Sequence, residues 1–302
     1  MNGREAYLAI VNPAAGGGRS RKMLGPALER LRAGGVAVDV VETLGVGDAT
    51  RIAREAYAFG QRRFIAVGGD GTSYEVVNGL FPEAGASARP TLGFLPLGTG
   101  NSFLRDFSDR GVEHAIESLI AGREQACDVL RLRHRDGVIH YLNLLSVGFP
   151  ADVATLRARR FSRQGELGYV ISIFLGLARM QRRPFAVRVD GETEFDRRRC
   201  LFLTFNNSKF TGGTMMIAPK AEVNSGLIEY VRWGAIGRLG LIRNLPRLYD
   251  GTHIEHPLAE RKAVKRVEFD LDAPVDVMVD GEVLTLHCEE LDVLAGALNV
   301  VA

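Results

Sequence analysis

At 302 residues with 46% hydrophobic content, the chain is long enough for two domains with separate cores, and an ordered globular protein is expected. A net charge of +2 supplies no bulk pull on nucleic acid, so no nucleic-acid partner is expected and any basic site must come from local clustering. Cys127, Cys200 and Cys288 are far apart and lack metal-ligand spacing, which fits a reducing, cytoplasmic compartment. No leader is expected, and the longest helix-like apolar stretch, 167–178, is shorter than the roughly 20 residues that span a bilayer.

Residues 7–11 read as a first buried strand. The glycine-rich turn Asn12-Pro13-Ala14-Ala15-Gly16-Gly17-Gly18 follows, then a helix over 20–33. The turn is a candidate phosphate loop, although it lacks both the Walker lysine and the full dinucleotide-binding glycine spacing. Residues 36–41 give the next strand, 43–47 a polar turn, and 48–59 a helix with Asp48 as a plausible cap. The apolar run 64–67 then breaks into Gly68-Gly69-Asp70-Gly71-Thr72, with Thr72 expected to open a helix. Backbone amides approach phosphate oxygens closely where no Cβ intervenes, so this turn is a second phosphate candidate. Asp70 cannot bind phosphate itself. A carboxylate in that place holds a cation on the ligand or takes a proton from an attacking hydroxyl; the competing reading is a plain helix N-cap. A further strand, 91–95, empties into Pro96-Leu97-Gly98-Thr99-Gly100-Asn101-Ser102.

Three glycine-rich turns thus stand at strand C-termini, the edge where an open parallel sheet binds ligands, and a phosphorylated ligand becomes the leading expectation. From about residue 123 the pattern changes to period two. Runs at 129–134 and 138–144 flank the hairpin signal Asp136-Gly137. More strands are expected at 185–189, 200–205, 227–232, 264–271, 275–279 and 283–288, and only 167–181 and 236–249 look helical. The division expected is an α/β domain over 1–125 and a mostly antiparallel domain over 126–289, with the apolar tail 290–302 a candidate for packing back on the first.

Asn12-Pro13 with its glycines, Gly68-Gly69-Asp70-Gly71-Thr72 and Gly98-Thr99-Gly100-Asn101, in this order, resemble the diacylglycerol kinase and sphingosine kinase family. So do Gly148-Phe149-Pro150-Ala151-Asp152, Asn206-Asn207 with Gly212-Gly213 and Pro219, and Asp280-Gly281-Glu282. The resemblance implies an ATP-dependent lipid kinase that transfers the γ-phosphate to the hydroxyl of a diacylglycerol or sphingoid-base-like lipid at a membrane surface, with Mg²⁺ on the nucleotide. It implies a Rossmann-like open parallel sheet of the NAD-kinase and diacylglycerol-kinase type, followed by a β-sandwich. Family pattern carries Asn12, Pro13, Ala14, Ala15, Gly16, Thr43, Gly68, Gly69, Gly71, Thr72, Gly98, Thr99, Gly100 and Asn101 onto the nucleotide. Arg163 would reach its phosphates, and Asp152 would hold the lipid head group. Glu282 would be the general base, and Asp70 would lie close to the magnesium and the transferring phosphoryl group. A cytoplasmic enzyme, peripheral at the inner membrane face, follows.

The tripeptide Asp280-Gly281-Glu282 is also a hairpin signal and recurs as Asp190-Gly191-Glu192, so only the resemblance separates the two copies. Two departures bear on the substrate and the metal. Ser102 stands where the diacylglycerol kinase pattern has a carboxylate, which leans towards the sphingosine kinases. Asn224-Ser225 replaces an acidic pair, leaving Glu222 as thin support for a structural magnesium. The alternatives are a catalytically silent lipid- or nucleotide-binding module and a nicotinamide-dinucleotide kinase, which shares the central motif and lacks the later ones.

Overall fold

The computed structural model describes residues 5–81, 83–85, 88–98, 101–161 and 165–302. Short runs of apolar residues alternate with helices through the first third of the chain, and each run becomes a strand. In order these are β1 (Tyr7–Val11), α1 (Arg19–Ala33), β2 (Val38–Glu42), α2 (Asp48–Ala58), β3 (Arg63–Val67), α3 (Asp70–Leu80), β4 (Thr91–Leu95) and α4 (Val112–Ala121). The strands are parallel in the order β2-β1-β3-β4: β1–α1–β2 and β3–α3–β4 join neighbours, and β2–α2–β3 crosses over β1. β4 is buried throughout and β3 nearly so, as strands covered by helices on both faces must be. Ile65, Val67 and Leu95 meet Leu28 and Leu31 of α1 and Ile116 and Leu119 of α4 in one apolar cluster.

The second part begins with β5 (Glu124–His134), β6 (Gly137–Tyr141), β7 (Leu144–Gly148), α5 (Phe149–Arg160) and α6 (Gly165–Ala178). There follow β8 (Arg183–Pro184), β9 (Val187–Val189), β10 (Arg199–Asn206), β11 (Phe210–Thr211), β12 (Met215–Met216) and β13 (Ile228–Gly234). The chain closes with α7 (Arg238–Asn244), α8 (Arg247–Asp250), β14 (Ala259–Val264), β15 (Arg266–Phe269), β16 (Val275–Val279), β17 (Glu282–Leu286) and β18 (Cys288–Val301). One sheet runs β14-β13-β10-β7-β16-β17 with antiparallel neighbours. A second contains β9-β15-β18, with β5 pairing β18 and β6. Phe205 of β10 meets Phe269 of β15 edge-on at 5.4 Å, which joins the two layers of the sandwich.

The chain divides into two compact units, residues 1–129 with 294–302, and residues 130–293. β18 serves both, since Asn299, Val300 and Val301 pair in parallel with Thr91, Leu92 and Gly93 of β4, whereas Leu291 and Asp292 pair antiparallel with β15.

Several expectations need correction: the run 138–144 divides between β6 and β7, the run 264–271 divides between β14 and β15, and Asp48 is the first residue of α2 with Gly47 at the cap position. α3 starts at Asp70, two residues before Thr72. Residues 236–249 form two short helices, because Pro246 has no N–H to continue α7 and starts α8 instead. α5 was not among the expected helices, although Pro150 in its first turn, Asp152 behind it and Arg157, Arg159 and Arg160 in its last turn suit a helix dipole at both ends.

The buried His140 on β6 carries a pH signature. Burial and the nearby Arg131 hold its pKa down to about 4 from 6.5, while Asp292 pulls the other way. Between those values the unfolded chain takes up a proton that the folded chain refuses. Stability is therefore fully present above pH 6.5 and falls as pH drops towards 4, by about 3 kcal/mol. Urea unfolding of wild type and His140→Gln across this window checks it: the variant should lose that share of the slope, and an equal slope would show that other groups carry it.

Candidate active site

Backbone hydrogen bonds stitch the strand ends of the first unit together. The Thr43 amide donates to the Val11 carbonyl at 2.8 Å, that of Asn12 to Val67 at 3.0 Å, that of Gly68 to Leu95 at 3.1 Å and that of Gly98 to Gly68 at 2.9 Å. Thr43, Asn12, Gly68 and Gly98, which the sequence marked separately, therefore sit on one edge of one sheet.

The first loop owes its shape to its glycines. Asn12 turns its side-chain oxygen onto the Ala14 amide at 3.0 Å, past Pro13, and the Ala15 amide returns to the Asn12 carbonyl. Gly16, Gly17 and Gly18 then take φ of 62°, 66° and 87°, a left-handed run that costs residues with a Cβ about 1–2 kcal/mol each. This run delivers the chain into α1, whose first amides have no partner within the helix. Ser20, in that first turn, is fully buried with an Oγ that has no partner among the described residues. Successive amides at the start of a long helix suit an anion.

The third loop rests directly on the second. A Cβ on Gly98 would lie 2.7 Å from the Gly69 nitrogen and 2.8 Å from its Cα, so this glycine is required by backbone against backbone. A Cβ on Gly68 would lie 2.2 Å from the Thr72 hydroxyl, which is itself buried. Both glycines thus serve the packing of the turns, whatever binds there.

Asp70, at the first turn of α3, holds the third loop. Its two carboxylate oxygens accept the Ser102 amide at 3.2 and 3.1 Å. Burial pushes the carboxyl above its ordinary range, and the Ser102 amide and hydroxyl and the Phe103 amide pull it back. Ser102 is therefore a donor to Asp70, and a carboxylate in its place would put two acids in contact. Asp70, Asn101 and Gly68 line a small pocket of about 10 Å³ with Ser73 and Phe103. Gly71 and Thr72 follow Asp70 in the first turn of α3. Thr99, Gly100 and Arg163 lie outside the described residues.

Sequence reasoning missed Glu75. From α3 its carboxylate accepts the amides of Gly47 and Ala49 at 3.0 and 3.1 Å, fixing the loop that begins at Thr43. A glutamate one turn into the helix after the central motif was the available signal.

The second unit carries Asp152 and Glu282. α5, which holds Asp152, packs against β16 and β17. Asp152 forms an ion pair with Arg183; burial and Asp276 push its carboxyl up, and the guanidinium pulls it down. Glu282 is exposed at the first position of β17, after a turn in which Asp280 and Gly281 have φ of 48° and 91°. Two successive positive φ values mark a type I′ hairpin. Asp280 is buried and accepts the amides of Leu142, Asn143 and Leu144, each at 3.0 Å. Asn207 braces the same turn: its amide donates to the Asn143 carbonyl at 2.8 Å and its side chain to the Leu142 carbonyl at 2.9 Å. The other copy repeats the device. Asp190 and Gly191 have φ of 47° and 75°, and Asp190 accepts the amides of Lys265 and Arg266. There Glu192 is committed to Lys262 in an ion pair of 2.7 Å.

Among the described residues, no group of three or more His, Cys, Asp or Glu side chains is placed to hold a metal ion. Glu222 is exposed, and the loop after it closes on itself through the Ser225 amide to the Glu222 carbonyl and the Leu227 amide to the Ser225 hydroxyl.

Residues 6–132 match the family described as diacylglycerol kinase catalytic domain, and residues 143–302 the YegS C-terminal NAD kinase beta sandwich-like domain. A diacylglycerol kinase of Mycobacterium tuberculosis is 28% identical over 297 residues, covering 97% of this chain and 93% of its own. The lipid kinase YegS of Escherichia coli is 30% identical over 278 residues, covering 90% and 89%. The solved structure of a diacylglycerol kinase from Bacillus anthracis shares the fold, with a TM-score of 0.71 at 21% identity over 98% of this chain and 96% of its own. With both halves matched in order and a 30% identical relative aligned across most of its length, the chain belongs to the diacylglycerol kinase family and is a lipid kinase.

Proposed function

We propose that the enzyme transfers the γ-phosphate of ATP to the free hydroxyl of a diacylglycerol-type lipid. The observation that carries the reading is the stitched row of strand ends, with three left-handed glycines opening a long helix beside it. The stitched amides are spent on carbonyls and hold the loops in place, while the first amides of α1 have no partner within the helix and suit phosphate oxygens. Magnesium bound with ATP would neutralise charge on its phosphates, and Asp70 is the carboxylate that would lie near it. Asn12 to Gly16, Thr43, Gly68, Gly69, Gly71, Thr72, Gly98 and Asn101 form the nucleotide edge, with Thr99, Gly100 and Arg163 carried over from the family pattern. Asp70 holds the third loop against the second and sets its charge beside the phosphates. Glu282 takes the proton from the lipid hydroxyl as its oxygen attacks the γ-phosphorus, the bridging bond to the β-phosphate breaks, and ADP leaves. Positioning and charge neutralisation do most of the work in such a transfer.

The Asp152–Arg183 pair bears on the lipid. Its carboxylate is already neutralised, so an ammonium head group would have to displace a guanidinium, whereas a hydroxyl needs only a remaining lone pair. That favours a neutral lipid over the sphingoid base towards which Ser102 leaned. The enzyme works from the cytoplasm at the inner membrane face in this reading, and no described helix is long and apolar enough to cross a membrane. The test is transfer of labelled γ-phosphate to diacylglycerol, sphingosine and a nicotinamide dinucleotide in mixed micelles. Diacylglycerol should be labelled and the dinucleotide not. Labelling of sphingosine alone, of the dinucleotide alone, or of nothing would each overturn the proposal.

A further inference from the structure

The second unit carries an outward face that neither the nucleotide edge nor Glu282 uses. α7 and α8 bury Leu241 and Leu248 in the cluster around Phe202 and Trp233. Their opposite side exposes Leu239 at 60%, Ile242 at 49% and Tyr249 at 55%. Leu239 and Ile242 lie one turn apart on α7 and form an apolar ridge, and Tyr249 is exposed on α8 beyond the break at Pro246. Arg243 and Arg247 stand exposed along it and form no ion pair among the described residues. The sole acid between residues 236 and 250 is Asp250, which is occupied by the Thr252 amide and hydroxyl.

The ridge is rigidly rooted. Arg238 donates to the carbonyls of Leu177 and Ala178 at 2.9 and 3.0 Å, welding α7 to the end of α6, where Phe174 is 67% exposed one turn earlier. Arg182 donates to the Ile236 carbonyl at 3.0 Å, just before α7. Arg182, Arg199 and the Asp152-paired Arg183 line an open hollow of about 370 Å³ there. The Arg183 Nε is buried without a partner among the described residues.

We propose that this face of α7 and α8, with the arginine-lined hollow at its root, docks the enzyme on an anionic lipid bilayer. The inference rests on the lipid kinase reading, since that substrate resides in a membrane. Apolar side chains at the tip suit the headgroup and acyl boundary, the exposed Arg243 and Arg247 outnumber the one nearby acid, Asp250, and suit anionic lipid, and Arg182 and Arg199 in the hollow suit a headgroup phosphate. The charge argues against a second copy of the chain: a two-fold contact would set this face against itself, arginine against arginine.

The measurement is co-sedimentation, without nucleotide, with vesicles of phosphatidylcholine alone or mixed with phosphatidylglycerol. Wild type should prefer the anionic vesicles. Arg243→Gln with Arg247→Gln should weaken that binding about 25-fold, at about fivefold for each arginine near an anionic surface. Arg199→Gln should reduce the anionic preference alone. Leu239→Ser with Ile242→Ser should weaken binding to both vesicle types, with melting temperature and turnover on a soluble short-chain diacylglycerol unchanged. Unchanged vesicle binding in these variants would overturn the proposal. So would a wild-type dimer in ultracentrifugation that Leu239→Ser with Ile242→Ser converts to monomer. Because binding is read without catalysis, a failure of the kinase reading shows separately, as absent phosphate transfer.

Discussion

Glu282→Gln should lower turnover by about 100-fold or more, the low end of what a positioned general base contributes, while the melting temperature stays put. The side chain is exposed, so the swap removes a charge and leaves packing alone. Glu192→Gln is the internal control. It removes the surface ion pair with Lys262, which should change stability by about 0.5 kcal/mol and turnover not at all. Steady-state rates on one lipid decide the matter: wild-type turnover in Glu282→Gln, with Glu192→Gln impaired, would mean that the other hairpin carries the base.

Asp280→Ala should cost about 3 kcal/mol or more of folding stability, together with most of the activity. The buried carboxylate satisfies the amides of Leu142, Asn143 and Leu144, and removal strands them where water does not easily reach. It also frees the turn that aims Glu282. Asp190→Ala strands two amides at an exposed turn and should cost less. Urea unfolding gives both values. A loss below about 1 kcal/mol for Asp280→Ala would show that water replaces the carboxylate.

Strands with one obvious period were legible in the sequence. β4 and β16 each start after a proline and stop at proline or charge, whereas the hairpin expected at Asp136-Gly137 turns one residue earlier, at Arg135-Asp136, with Gly137 already paired to His134. The three loops and their order were legible for the same reason. What escaped was set by distant partners. Asp70 meets Ser102 thirty-two residues on, and Asp152 meets Arg183 thirty-one residues on, and nothing in either local pattern announces the pairing. Gly98 was read as room for a phosphate, whereas the chain uses it as room for Gly69. α5 was missed because its opening overlaps the Gly148-Phe149-Pro150 motif and its basic end reads as a loop.

β18 imposes an order on how the molecule can be made. During synthesis the first unit has β1 to β4 in hand early, but the strand that covers the free edge of β4 arrives only with residues 294–302. Until then the Thr91–Leu95 backbone presents unpaired amides and carbonyls along a buried-type apolar strand, the kind of edge that recruits other chains. Of the two units, the one translated earlier is therefore finished later, and the whole second unit is translated while that edge waits.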